Sequence, residues 1–440
     1  MNNVNQRRNK SDSYAFIAVI LFLLYSFYYS LLERNYVIQI VLIGFSILFG
    51  FFSILTEKIY LNIQKRLLKF MAGWLLIILF FLIFRNWWSV ISTIKWCWSI
   101  FIVFCICQNS RRLRGIYKAV IIIGFPHVIA TLFFFVFQNL YPVMYNVFGR
   151  WPGGTRDGRL GFRAGISNHY SLNGIYIAIV FLCCFAYTFN SYKKRKKDLP
   201  ILGMITLIVF FSLILTMKRA HILFSIIAIL LGIIVFAQKI SVRQLISLLS
   251  IVLILCGIFL WAYRTFPEID LALRRFENLD EDGNLQYRIK MWEYALHMFS
   301  VNPFIGMGWG SFRQTSGYGM NAHNVYIQLL AETGILGFSI YMVTLLILVI
   351  NAIHGSRLNI KRCCYGELFF SSFASLLILL FYIFYSFSGN CLFDGTFRFF
   401  IFTIATTYYL FLPNACENSS AVSENKTINN DENPVRFAAI

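Results

Sequence analysis

Apolar residues fill long uninterrupted stretches of the chain, and polar residues are gathered between them. Twelve apolar runs stand out, at 14–32, 36–55, 70–84, 87–107, 117–140, 168–190, 200–216, 220–237, 245–262, 323–352, 366–388 and 396–412. Most approach the roughly 20 residues that a helix needs to cross a bilayer. None alternates apolar and polar residues as a barrel strand does over about 10 residues. The pattern predicts an all-α polytopic membrane protein with about 12 transmembrane helices. A polar segment at 141–167 precedes the sixth run, and a larger one at 263–322 precedes the tenth. One helix is predicted inside the larger segment, from Gln286 to Ser300, after a turn-like DEDGN at 280–284. The chain thus divides into a polar N-terminus (1–13), spans one to five (14–140), a Gly/Arg-rich loop (141–167), spans six to nine (168–262), the large loop (263–322), spans ten to twelve (323–412) and a polar tail (413–440). The tail is rich in Asn, Ser and Glu and is predicted to be disordered.

Composition removes the other classes. Of 440 residues, 58% are hydrophobic and 13% charged, where a soluble domain carries about 25% charge. A water-soluble globule could not hide so much apolar surface, and a disordered chain would not contain it. Charge then sets orientation. One set of alternate connections holds 23 Lys and Arg, including the KKRKK run at 193–197. The other set holds 15, of which ten sit in the two long loops, where the positive-inside rule does not count them. Both termini are therefore expected in the cytoplasm, and both long loops outside. KKRKK reads as a topology signal rather than a nucleic-acid patch. The ten cysteines form no CxxC pair, so no zinc site or disulfide framework is implied. The first run lacks a small-residue cleavage site and reads as a retained helix.

Polar groups are costly in a bilayer and normally face the bundle interior or a watery cavity. Four clusters converge on the outer side. Arg159, Arg163, Asn168 and His169 stand at the mouth of the sixth span, and Asn173 and Tyr176 continue down it. Lys218 and Arg219 lie between spans seven and eight, with His221 just inside. Arg288 lies on the loop helix one turn before Trp292. Asn321, Ala322, His323 and Asn324 open span ten, and Asn324, Gln328 and Glu332 form a polar stripe along it. Each has a plainer reading. Interfacial cations anchor to headgroups, Arg288 can be a solvated charge, and Glu332 can pack against a neighbouring span. His127, alone in an apolar span, reads as a satisfied core group. Jointly, several guanidinium groups with one histidine and no acidic cage suit a diphosphate, which Arg binds bidentately. The histidine suits proton transfer from an attacking hydroxyl.

NAHNVYIQLLAETGILGF at 321–338 resembles the signature of the O-antigen polymerase and ligase superfamily. QYRIKMWEYALHMFSVNPFIGMGWGSF at 286–312, LTMKRAHILF at 215–224 and GRLGFRAGISNHYSLNGIYIAI at 158–179 are similar to the stretches that precede it there. The resemblance implies a GT-C-type glycosyltransferase working outside the cytoplasmic (inner) membrane on undecaprenyl-diphosphate-linked oligosaccharide. It implies catalytic roles for His323, Arg219 and Arg288. Arg163, Asn168, His169, Lys218, Asn324 and Glu332 are the expected substrate-binding residues. No metal or other cofactor is expected. The expected partners are the lipid-linked glycan, the bilayer, and a chain-length regulator and flippase, without nucleic acid. Polymerisation of repeat units is one reading and ligation to a core or other acceptor a second. A flippase for the same lipid is the third, although its charges would lie deep on several spans.

The orientation is open to direct test. Cysteines placed at Gly154 and Ser316 should react with an impermeant thiol reagent in intact cells, and one at Arg195 should not. Labelling at 195 with protection at 154 would invert the topology.

Overall fold

The structure, a computed structural model, describes residues 2–32, 35–56, 76, 94, 96–102, 104–105, 115–140, 162–167, 169–193, 197–236, 257, 261, 264–265, 284–361 and 367–393. Every regular element among the described residues is helical. They are α1 (Asn2–Leu32), α2 (Tyr36–Thr56), α3 (Ile116–Val136), α4 (Tyr170–Lys193), α5 (Leu199–Leu215), α6 (Arg219–Phe236), α7 (Asn284–Val301), α8 (Ser311–Thr315), α9 (Val325–Lys361) and α10 (Glu367–Tyr385), with a 3₁₀ turn at Gln138–Leu140. Helices occupy eight of the predicted apolar runs and the predicted loop helix; α1 begins 12 residues early and α9 ends nine residues late, and the others agree within a few residues. The expected spans at 70–84, 87–107, 245–262 and 396–412 lie wholly or largely outside the described residues, as do most of 141–167 and the tail. α1 starts at Asn2, so the helix takes in the polar stretch read as a separate N-terminus. Ser11 there donates a 2.8 Å hydrogen bond to the Ser53 carbonyl and so belongs to the α1–α2 pair.

Among the described residues, five helical stretches are long and apolar enough to cross a membrane: Lys10–Tyr29, Tyr36–Thr56, Ile116–Val136, Tyr170–Tyr192 and Val325–Ile350. The polarity of α2 is the reverse of a soluble protein's helix. α2 buries Ser46, Gly50 and Ser53, while Val37, Ile40 and Leu55 are about 70% exposed. Small residues let the backbones approach, and Ser46 donates to the Ala18 carbonyl across the gap. The outward apolar face suits hydrocarbon. α4 is the hub: 72% of its span is buried, against 17% for α2. It packs on α3, α5, α6 and α10. α6 in turn lies on α10, where Gly232 faces Leu377 and Phe373.

α9 is broken at Gly334, which has φ 63° and ψ −171°. A break at that depth would orphan backbone groups, which hydrocarbon cannot satisfy. The segment after α7 takes them up. Met307 and Gly308 donate to the carbonyls of Ala331 and Glu332 at 3.0 and 2.8 Å. Ile335 and Leu336 donate to the carbonyls of Pro303 and Phe304 at 2.8 and 3.2 Å. The four groups of α9 that would have bonded one another across the break bond the loop instead. Two glycines make this approach possible. A Cβ on Gly334 would stand 2.4 Å from the Phe304 carbonyl carbon, and one on Gly306 would stand 2.4 Å from that of Glu332.

Gly334→Ala should therefore lose folded protein, since a backbone at this positive φ and extended ψ, essentially confined to glycine, costs an L-residue on the order of 1–3 kcal/mol and the clash adds to it. Gly203→Ala in α5, where nothing lies within 4 Å of the new Cβ, should leave stability unchanged or higher. Thermal unfolding of the two solubilised variants checks this, and equal stability would mean that the break does not need its glycine.

Candidate active site

The expected site residues gather at one end of the bundle, where α4, α6 and α9 begin and α5 and α10 end. Tyr170, the first residue of α4, is the platform of one half. The Arg163 guanidinium carbon lies 4.4 Å and the Lys218 ammonium 4.1 Å from its ring centroid. The His169 ring stacks on it at 4.4 Å. A ring quadrupole attracts cations on its face, so one tyrosine brings together charges from two segments. Arg163 is 5% exposed, and its Nε points at the Thr216 carbonyl at 3.5 Å. Asn168 lies outside the described residues.

A buried polar network fixes this half. The Asn173 amide nitrogen donates to the Arg163 carbonyl at 2.9 Å and to the Thr131 hydroxyl at 2.8 Å. Its oxygen faces His127 Nδ1 at 3.3 Å, while His127 Nε2 lies 3.1 Å from the Phe27 carbonyl. His127 is thus a bonded core group, as read from the sequence. The 162–167 segment is held down from α3 and α4 at once, and Gly165, with φ 53°, lets it pass over Asn173 and Thr131.

The second half is reached through the end of α10. His221, two residues after Arg219, packs its ring 4.7 Å from Tyr385. The next carbonyl, Ser386, accepts from Val325 at the start of α9, at 2.9 Å. His323 stands two residues before that, half-buried, and Asn390 Nδ2 lies 3.2 Å from its Nδ1. Asn324 caps α9, since its Oδ1 accepts from the amides of Tyr326 and Ile327 at 3.0 and 3.1 Å. His323 (φ 56°) and Met217 (φ 54°) are the non-glycine residues with left-handed backbone among the described residues. Such backbone costs energy and is kept where the surroundings impose it, often at functional sites.

The polar stripe of α9 faces the loop. Both Glu332 oxygens accept from loop amides, Oε2 from Gly310 at 2.9 Å and Oε1 from Phe312 at 3.3 Å. Gln328 Nε2 donates to Glu332 Oε1 at 3.0 Å and to Asn321 Oδ1 at 3.1 Å. Gln328 Oε1 accepts from Ala322 at 2.8 Å. From the other side, Trp292 on α7 donates to the Ala322 carbonyl at 2.9 Å. Arg288 lies one turn earlier on the same face of α7 and is half-buried. The residue before His323 is thereby bonded at both its amide and its carbonyl.

The structure brings Arg163, His169 and Lys218 onto one ring, with Arg219 next in the chain. It sets His323 on the neighbouring turn, with Arg288 on the flanking helix. Asn324 and Glu332, expected to bind substrate, give their acceptors to the chain itself. Sequence reading missed Tyr170, although it adjoins His169, and Asn390, which carries no motif. Removing the Glu332 carboxylate should loosen the loop it holds. Glu332→Ala should speed tryptic cleavage after the exposed Arg313 in limited digests of solubilised protein, and an unchanged rate would remove the carboxylate from the loop's support.

Comparison with known proteins is consistent with this geometry. No curated protein matches the chain. A family model described as O-antigen ligase matches residues 204–342, a stretch that holds Lys218, Arg219, Arg288, His323 and Glu332. Over that stretch the chain is similar to the O-antigen ligase family, in line with the resemblance read from its motifs.

Proposed function

We propose that the protein is a metal-independent membrane glycosyltransferase that polymerises undecaprenyl-diphosphate-linked oligosaccharide repeats on the outer side of the cytoplasmic membrane. The observation that carries the reading is the gathering of Arg163, Lys218 and Arg219 at the end of the bundle where His323 opens α9. An acceptor hydroxyl attacks the anomeric carbon of the donor. The bond from that carbon to the diphosphate oxygen breaks with inversion, and its electron pair leaves with the diphosphate. His323 takes the hydroxyl proton. Arg219 and Arg288 hold the diphosphate as its charge grows, with Arg163, His169 and Lys218 beside them. For scale, one lost preorganised charge contact costs about 10²–10³ in rate. Asn324, Gln328 and Glu332 act by holding the His323 turn in place. The flanking Asn168 belongs to the same expected binding segment.

A ligase transferring the same glycan to a core or other acceptor is the second reading, favoured by the description of the matching family. The product separates the two. Loss of long chains with single repeats still attached to their acceptor means polymerase, and loss of all attached glycan means ligase.

His323→Ala should abolish the surface glycan while the protein stays inserted and abundant, and should still bind lipid-linked donor. Arg219→Lys and Arg288→Lys should lose most activity although charge is kept, because Lys cannot reproduce bidentate binding. Each should also weaken donor binding by about 1.5–3 kcal/mol. Glycan banding on gels and donor binding to purified variants, without added divalent metal, are the measurements. Arginine variants that bind and turn over like wild type would return these cations to headgroup anchoring.

A further inference from the structure

We propose that Asn390 is a positioning residue that holds the His323 ring by its Nδ1 edge and selects the tautomer able to accept a proton. The inference rests on the reading of His323 as the base. Asn390 lies in the turn after α10, 6% exposed, with its side-chain amide 3.2 Å from His323 Nδ1. That turn is rigidly tied. Ser386 bonds the α9 amide of Val325, and Phe393 donates back to the Asn390 carbonyl at 2.9 Å. The Phe393 ring lies 4.7 Å from Trp309, and Ser386 Oγ stands 3.1 Å from Cys391 Sγ. Gly389 sits so close to the Tyr385 ring that a Cβ there would be 2.3 Å from it. A group this firmly held can fix the ring it touches.

The amide has two orientations, and the chemistry distinguishes them. With Nδ2 towards the ring, the amide donates to Nδ1, and a neutral imidazole then carries its proton on Nε2. Such a ring donates at Nε2 and cannot accept there. In this orientation Asn390 Oδ1 is buried without a hydrogen-bond donor among the described residues. Turning the amide by 180° lets Oδ1 accept from Nδ1–H and places the ring's lone pair on Nε2. That is the form that can receive the acceptor proton, as the hydroxyl oxygen bonds to the anomeric carbon and the diphosphate departs. The oxygen and nitrogen of an amide exchange places without changing the shape of the group. The second form is therefore available without moving the turn.

The test uses full-length purified variants and, as donor, lipid-linked glycan extracted from cells that lack the protein. Asn390→Ala should lower kcat tenfold or more, a part of the roughly 10²–10⁴-fold that general acid–base catalysis supplies, with KM for the donor little changed. Asn390→Asp keeps an acceptor on Nδ1–H, so kcat should remain near wild type at its alkaline plateau. A carboxylate beside the imidazolium raises its pKa, and a base works only when neutral, so the acid limb of the kcat profile should move to higher pH. The other ionisable groups at this end, among the described residues, include Arg163, His169, Tyr170 and Lys218 in the cationic half, Arg288 on α7, Arg219 and His221 on α6, Tyr326, Glu332 and Tyr341 on α9, and Tyr382, Tyr385 and Cys391 beside the turn. All are the same in each variant, so the difference between profiles reports position 390. In a His323→Ala background, Asn390→Ala should cause no further loss. Folded yield is followed by size exclusion, and Asn390→Ser replaces either variant that fails to fold. An active His323→Ala enzyme would sink the base itself. An inactive His323→Ala beside an Asn390→Ala enzyme with wild-type kcat would overturn only the role of Asn390. An Asn390→Asp profile that superimposes on the wild type would do the same.

Discussion

The break in α9 at Gly334 organises the rest of the site. A helix interrupted inside a span exposes amides and carbonyls that have no water to turn to, each costing several kcal/mol if left bare. Here Pro303, Phe304, Met307 and Gly308 supply the missing partners, so helix and loop can form only together. Once the loop is there, Glu332 faces the amides of Gly310 and Phe312, and Gln328 reaches Ala322. The turn that carries His323 is the end of this chain of bonds. The motifs Asn-Pro-Phe-Ile-Gly-Met-Gly and Glu-Thr-Gly, 26 residues apart by their last glycines at 308 and 334, are thus two sides of one backbone interface. Gly306 and Gly334 are small because each meets the other strand's main chain.

The cationic half has a different support. Arg163 comes from the end of the 141–167 loop, and Lys218 from the Thr216–Lys218 connection between α5 and α6. Asn173 ties the first to α3 and α4, and the Tyr170 ring gathers Arg163 and Lys218. The end of α10 connects the halves, meeting α6 through Tyr385 and α9 through Ser386. Movement of α10 would thus alter the spacing of proposed base and proposed diphosphate clamp together.

The helices were legible because the membrane imposes one coarse rule on every span, and the runs at 36–55, 200–216 and 220–237 match helices to within one residue at each end. The candidates His323, Arg219 and Arg288 stood out because the first two sit at the mouths of long apolar runs and the third on the one helix predicted in the large loop. The exchange at Gly334 was not, because a long apolar run looks the same whether its helix is whole or broken. Glu332 looked like a ligand because a carboxylate in a span demands a partner, and hydropathy does not reveal that two loop amides supply it. Tyr170 was hidden among 24 tyrosines, and its role depends on a fold that sets Lys218 over the same ring as Arg163. Asn390 lies 67 residues from His323, and nothing local marks it.

The N-terminus of α9 would ordinarily attract an anion, because the first amides of a helix point outward without partners. In this chain they are already engaged. Val325 donates to Ser386, Tyr326 and Ile327 donate to the Asn324 side chain, and Gln328 donates to the Asn324 carbonyl. None of these four amides remains to cradle a phosphate beside His323. The proposed diphosphate must then be held by side chains, which is where the sequence spends its arginines. The arrangement also separates two tasks that would conflict at one helix end. A tightly bound diphosphate on the α9 amides would sit on the proposed base, whereas one held from Arg219 on α6 and Arg288 on α7 leaves the turn at His323 for the attacking hydroxyl. On the proposed mechanism, the cap that looks like a routine helix start would keep anion binding on the arginines and proton transfer on the histidine.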